Sequence, residues 1–412
     1  MRSTDTILGR ATFAKLRFPI LSSALAWIVM SLATSACIAE EPMAAKYLYT
    51  ADYIRGEQEL ERALEKSPKD DQIRFGLGFL QVVRAFERLG QASYEYGIKH
   101  NVPLMMVPQL PIAQNPDPAP ITYRMWRRIC DDFLHDLNEA ENTLSEIKDD
   151  NVKMTLKVAD IKFDLDGDGQ PESRFFDLIK RLINRRLEFL EIDPTFTVTF
   201  DRGDVAWLRA YCHFIAGGLD FILAIDLEAT FDYSASDYFT RPKKVLTAEQ
   251  KAKLHADGKL SDMIVSEPVR WHRFREHLLE SCRLNHETWK YILAETDDDH
   301  EWLPNPKQSS VFGMRVRQPM IDQWLKLIDE LSDLFEGKKM LPTDMFWKKD
   351  GRNFNVKTFL ESPPEGVDFF KVINTGPAEK YFDKGPTVDQ QVFIAALQAF
   401  DASPIPYIFW FN

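Results

Sequence analysis

Cysteine is scarce: four in 412 residues. Cys37 lies in a distinctive amino-terminal stretch, which leaves Cys130, Cys212 and Cys282 for the rest of the chain. Three thiols make no disulfide framework, so a small disulfide-stapled scaffold is excluded. Cys130 and Cys212 fall within helical apolar patterns, and buried free thiols are the expectation for all three. Positive charge is also short, 51 Lys and Arg against 63 Asp and Glu, for a net charge of −12. An acidic body lacks the basic footprint of a nucleic-acid partner. Beyond residue 39 no stretch reaches the ~20 uninterrupted apolar residues of a membrane span. The chain contains no GxGxxG, Walker, HExxH or GxSxG string, so the chemistries those strings announce are not signalled.

Hydrophobic residues make up 45% and charged residues 28%, the balance of a folded globular protein. The first 39 residues differ from the remainder. Arg2, Arg10, Lys15 and Arg17 precede an apolar run from Phe18 to Ala33, and small residues follow in "ATSACIAEE". Basic, then apolar, then small is the order of an export signal, with cleavage expected after Ala36 or Ala39. Removing residues 1–39, which carry a net +3, takes the charge from −12 to −15. The expected location is periplasmic or extracellular. Contact with a membrane is expected only through an uncleaved signal or a lipid on Cys37, although Thr34 stands where lipid-attachment signals usually carry Leu.

Helical periodicity dominates the chain beyond residue 39, and the expected fold class is mainly α with a minor β element. In "ADYIRGEQELERALEKSPKDDQIRFGLG", residues 51–78, Tyr53, Leu60, Ala63 and Leu64 recur at helical spacing. Gly56 and Ala63 are small and share a face, Pro68 ends the segment, and Leu77-Gly78 comes after it. This stretch resembles a tetratricopeptide helix pair, a resemblance that implies a repeat-like body and a protein-binding surface. Gly90 arrives twelve residues after Gly78 and breaks the register of a regular array. Residues 101–121 hold six prolines and read as an extended arm. Trp126, Cys130, Phe133, Leu137, Ala140, Leu144 and Ile147 then mark a core-facing helix.

Val152, Met154, Leu156 and Val158 alternate with polar neighbours, the period of a half-buried strand. "FFDLIKRLINRRLEFL" returns to helical spacing, which places the intervening acidic loop between strand and helix. Residues 204–227 are apolar almost all round, as in a helix buried at the centre of a fold. "TAEQ" at Thr247 and "TVDQ" at Thr387 match the capping-box pattern. Pro319 and Gly337 bracket a further amphipathic helix. Asp350-Gly351 signals a hairpin, and "YIFWFN" a buried terminal strand. The expected organisation is an export signal over 1–39, a repeat-like helical region over 40–150 and a larger helical region over 151–412, the last two able to form one continuous domain.

The densest chemistry is "DLDGDGQPE", residues 164–172. Ionised carboxylates this close repel one another, and a hard divalent cation removes that repulsion while taking oxygen ligands. Asp164, Asp166 and Asp168 occupy alternate positions of a loop that must curl. Gly169 stands where a sharp turn needs a residue without a Cβ, Gln170 offers a backbone carbonyl, and Glu172 a fourth carboxylate. The pattern resembles the calcium loops of EF-hands and of thrombospondin- and integrin-type modules, and that resemblance implies calcium as the bound ion. It departs from the EF-hand at position twelve, where Phe175 replaces the bidentate Glu, and in carrying Pro171. Asp160 or Asp177 is expected to complete the shell.

A second polar feature is a stripe in the apolar helix. Arg209, His213 and Asp220 lie within about 40° of one another at 100° per residue, with Gly217 between them. One reading is a buried network that fixes helix register. The other is a lined pocket in which His213 acts as acid–base and Asp220 orients it. His272, His277 and His286 have no metal-ligand spacing and read as packing or surface residues. "TDDDHEW", residues 296–302, reads as a solvated loop. The functional expectation is an exported, calcium-binding helical scaffold or ligand-binding protein whose partner is a protein or a glycan. The alternative is a calcium-stabilised extracellular hydrolase, acting on polysaccharide, with two converging carboxylates.

Overall fold

In the computed structural model the residues described are 41–99, 110–177, 195–260, 263–313, 315–343, 351–363, 366, 368, 372, 376–400 and 410–411. Residues 1–40, where the export signal is expected, and residues 178–194 and 344–350 lie outside them. Described residues from Pro42 onward belong to one compact unit. The fold is mainly α. Short helix α1 (Ala45–Leu48) leads into α2 (Tyr53–Lys66), α3 (Asp71–Glu95) and α4 (Tyr123–Ser145). Strands β1 (Met154–Leu156), β2 (Lys162–Phe163), β3 (Ser173–Arg174) and β4 (Val198–Phe200) precede the central helix α5 (Arg202–Leu223). Then come β5 (Ile225–Asp226), α6 (Glu228–Tyr238), α7 (Ala248–Ala256), β6 (Ile264–Val265), α8 (Val269–Ala294) and α9 (Gln318–Glu336). The last elements are β7 (Asn353–Phe354), α10 (Val356–Glu361), β8 (Phe382–Asp383) and α11 (Gln390–Ala399).

The amino-terminal helices pack through small residues. A Cβ on Gly56 would stand 2.7 Å from Tyr47 and Leu80, and one on Gly78 would stand 2.6 Å from Leu144. The two glycines therefore set the α2–α3 and α3–α4 approaches, and Gly78 is where the amino-terminal pair joins the rest of the core. Lys66 closes α2 just before Pro68, and Asp70 opens α3 by accepting from the backbone of Gln72 and Ile73. No second repeat unit begins at Gly90, because α3 runs unbroken through it to Glu95.

Helices α4, α5 and α8 form the centre, with α9 against α8. Phe133, Leu137, Ala140 and Leu144 are the buried face of α4. Helix α5 is buried along most of its length and begins with a capping box of Asp201 and Asp204. β1 pairs antiparallel with β4, with Met154 opposite Phe200, and its inward positions are buried while Thr155 faces out. Phe200, Trp207, Trp302, Phe312 and Trp410 make a continuous aromatic contact beneath that ribbon. A second, smaller apolar cluster gathers Trp271, Phe354, Phe359, Tyr381 and Phe382 around β7 and α10. No described helix is long and apolar enough to cross a membrane.

Several local expectations change. Thr247 and Gln250 do form a capping box on α7, but α11 is capped by Asp389 rather than Thr387. The aspartate lies two residues closer to the first turn and its carboxylate takes the Gln391 N–H. Pro319 and Gly337 bracket α9 as the pattern required, Gly337 at φ +75. Across the expected Asp350-Gly351 hairpin, Leu341 and Phe354 bridge antiparallel. At the terminus Trp410 and Phe411 are helical rather than extended, and Phe411 is fully buried against Trp289, Trp324 and Phe400. Cys130, Cys212 and Cys282 are free thiols. Burial pushes Cys130 and Cys282 up to about 12 and Cys212 higher still, which suits packing and not reactivity.

Candidate metal centre

The acidic loop is clasped between strands on both sides, not between strand and helix. β2 and β3 pair antiparallel, Phe163 opposite Ser173, and helical backbone begins only at Phe175. Asp164 organises the turn. Its Oδ1 accepts the Gly167 N–H at 2.8 Å and its Oδ2 the Gly169 N–H at 2.9 Å. Gly167 and Gly169 have φ +77 and +84, a region that side chains with a Cβ rarely adopt. Glu172 folds back so that its Oε1 accepts the Leu165 N–H at 2.9 Å.

Three carboxylates converge. One oxygen each from Asp164, Asp166 and Glu172 lies within 4.8 Å of the others, a spacing at which they could hold a metal ion. Burial, and then the charges of Asp166 and Asp164, push Glu172 above its ordinary value, against the pull of its backbone hydrogen bonds. Asp168 does not join the three. Its carboxylate turns to the Gln170 N–H at 2.7 Å, a local bond that competes with convergence. Asp177 also turns away, accepting from the Arg174 backbone. Asp160 lies in a 3-10 turn outside the group.

Glu87 is the neighbour that sequence reasoning missed. It projects from the buried face of α3, and its Oε2 accepts the Asp164 N–H at 2.7 Å. Burial first, and then the charges of Asp164 and Glu172, raise it to about 8 although the Asp164 N–H pulls the other way. Gln91, one turn further along α3, donates to the Asp164 carbonyl at 2.9 Å. Leu165 is fully buried against Gly90, where a Cβ would stand 2.5 Å from its Cδ2. The glycine that broke the repeat register is thus the seat of the loop. Its only sequence signal was an unexplained glycine inside a helical pattern. Beside the loop lies an open groove of about 440 Å³ lined by Arg88, Gln91, Tyr94, Glu95, Asn115 and Asp166.

The polar stripe of α5 meets partners throughout. Arg209 makes a forked contact with Glu141 of α4, at 2.8 Å from Nη2 and 3.1 Å from Nε. Burial pushes Glu141 up, but the bonds from His213 and Arg209 outweigh it and lower the carboxyl overall. Asp220 is fully buried and held by Arg270 at 3.0 Å and by Arg273 at 2.9 Å. Asp220 does not orient His213. Between them stands His277, whose Nδ1 is 2.8 Å from His213 Nδ1. His277 is therefore part of a buried polar network. His272 and His286 pair at the surface with Glu276 and Asp329.

A second group of acids gathers at the start of α5. Burial and then the Asp201 charge raise Asp204 and Glu295 well above the carboxylate range. Burial raises Glu301 to about 7 against the Asp299 N–H that it accepts, with Asp201 adding to the rise. Gln308 joins two of these acids, donating to Glu295 at 3.0 Å and to Glu301 at 3.2 Å. The 296–302 segment is therefore not uniformly solvated. Asp297 and Asp299 pair with Lys153 at the surface, whereas Glu301 turns inward and is buried. No family model, curated protein or solved structure matches the chain.

Proposed function

We propose that the protein is an exported, calcium-binding helical scaffold that captures a ligand beside its acidic loop. The reading rests on the position of Asp166, which belongs both to the converging carboxylates and to the wall of the groove on α3. Calcium suits a shell of carboxylate and carbonyl oxygens better than softer metals do. In this reading Asp164, Asp166 and Glu172 supply the charge, and the Gln170 carbonyl and Asp168 complete the shell once the ion draws the loop inward. Export is supported by the basic, apolar and small-residue order of residues 1–39. The groove is open and mixed in character, with Arg88, Gln91, Tyr94, Glu95 and Asn115 among its polar lining. That lining suits a glycan or an exposed protein loop. The hydrolase alternative finds less support, since the raised acids Asp204, Glu295 and Glu301 do not line this groove.

Calcium modules of the extracellular type bind at about 0.1–1 mM. At about 1 mM calcium, mass action then adds roughly 0.4–1.4 kcal/mol of stability. Titration calorimetry with calcium is expected to show one site, and calcium is expected to raise the melting temperature by about 0.5–2 °C. Asp166→Ala should abolish both. Equal melting in calcium and in chelator would remove the metal reading. Glycan capture on an array, tested with calcium and with chelator, addresses the groove: retention unaffected by chelator, or by Tyr94→Ala, would remove the groove from the proposal.

A further inference from the structure

Helices α5 and α8 touch through two imidazoles whose contact has room for one proton between them. His213 Nδ1 and His277 Nδ1 are 2.8 Å apart, with ring centroids at 5.1 Å. A nitrogen–nitrogen hydrogen bond needs one donor and one acceptor, so one Nδ1 is protonated and the other is bare. The outer nitrogens face acids: His213 Nε2 is 3.3 Å from Glu141 and His277 Nε2 is 3.8 Å from Asp220. The Glu141 contact is within reach of a hydrogen bond from His213, whereas 3.8 Å is too long for one from His277 to Asp220. The Nδ1 contact itself holds only while one of the two Nδ1 atoms stays bare.

The charged groups around the pair are already matched to one another. From α4 comes Glu141. From α5 come Arg209 and Asp220, and from α8 come Arg270, Arg273 and Glu280. Arg270 is further tied to Asp131 and Glu267. The two anions nearest the rings are already engaged by arginines, so no free counter-charge awaits a second imidazolium. Gly217 brings the helices close enough for the contact, since a Cβ there would stand 3.2 Å from His277 Cβ. Both rings keep 14–15% of their side-chain surface exposed, which gives protons a path to them.

We propose that His213 and His277 form an acid-released latch between α5 and α8, closed while one Nδ1 proton is shared and opened when both rings are fully protonated. The proton that completes the second ring must bind the bare Nδ1. Two N–H groups then face each other across 2.8 Å, the hydrogen bond is lost, two like charges adjoin, and the rings must part. Burial, and then the neighbouring His213, hold His277 down to about 4, which agrees with a pair that resists its second charge. The unfolded chain takes up that proton at the ordinary histidine value of about 6.5. The latch's contribution to stability is therefore whole above that value and is lost as pH falls through about 4.

The test uses the full chain with ¹⁵N-labelled histidine, titrated from neutral to acid. The expected result is one shared Nδ1 proton at neutral pH and completion of the second imidazolium ring below the ordinary histidine range. Protection factors of the amides in the middle of α5 and α8, corrected for the intrinsic pH dependence of exchange, should fall about tenfold at that same step. Independent titration of the two rings near the ordinary value, or a completed step with unchanged exchange, overturns the latch. His277→Gln keeps an acceptor for His213 and a donor toward Asp220, and it should remove the acid step from the exchange profile. A folded His277→Gln protein that retains the step also overturns it. If that variant does not fold, the wild-type titration alone decides.

Discussion

Gly90 shows how much one residue can carry. Alanine in an exposed helix is better than glycine by about 1 kcal/mol, and on sequence alone Gly90→Ala should stabilise α3. The structure reverses that expectation, because the new methyl would meet Leu165 at 2.5 Å. Overpacking of this kind costs roughly 1–3 kcal/mol. Urea unfolding of Gly90→Ala is expected to show a net loss of about 0–2 kcal/mol. Because the displaced residue anchors the acidic loop, the melting-temperature rise proposed for calcium should shrink as well. A stabilised variant with an unchanged calcium response would mean that Leu165 does not seat the loop. The converging carboxylates were legible because alternate placement is a local property of nine residues. Glu87 was not, since the loop that it supports lies 77 positions away.

At the scale of elements, the start of α5 joins two opposing effects. A helix amino terminus favours negative charge, while burial penalises it, and the raised values of Asp204, Glu295 and Glu301 show which effect wins. An acid raised on folding contributes stability that is whole below its unfolded value and is lost as pH rises through the folded one. For Glu301 that window runs from the ordinary glutamate value to about 7, and for Glu295 it extends higher. Denaturant titrations across this range should find Glu295→Gln losing less stability than the wild type as pH rises. Parallel curves would place the pH dependence elsewhere. The α5–α8 contact yields a second expectation. Asp220 is fully buried between Arg270 and Arg273, and removing one member of a buried ion pair costs about 3–5 kcal/mol. Asp220→Leu should cost that much in urea at neutral pH. A loss below about 1 kcal/mol would show that the arginines find other partners.

Across the whole molecule the apolar interior is unequal. The larger cluster runs from α1 through the aromatic contact to α9, and the smaller one wraps Trp271 with β7, β8 and α10. β7 and β8 are two residues each, and α10 has six. Elements so short bury little by themselves and depend on the side chains of Phe354, Phe359 and Tyr381. Hydrogen exchange is therefore expected to reach 351–363 and 379–383 before α4 and α5, with the difference persisting in mild denaturant. Uniform protection throughout would indicate that the two clusters open as one.

Helix spans, the α7 cap, the outward and inward faces of β1 and the turn chemistry of the acidic loop could be read along the chain. Each depends on backbone geometry and neighbours only a few residues away. Where the chain was misread, a distant partner or a nearer competitor intervened. The side chain that caps α11 is Asp389, not Thr387. A second strand closed the loop where a helix was expected. His277 reaches His213 across 64 residues, and Glu141 reaches Arg209 across 68. A one-dimensional pattern shows that a buried polar stripe must find partners; which charge meets which depends on how α4, α5 and α8 stack, and long-range packing sets that.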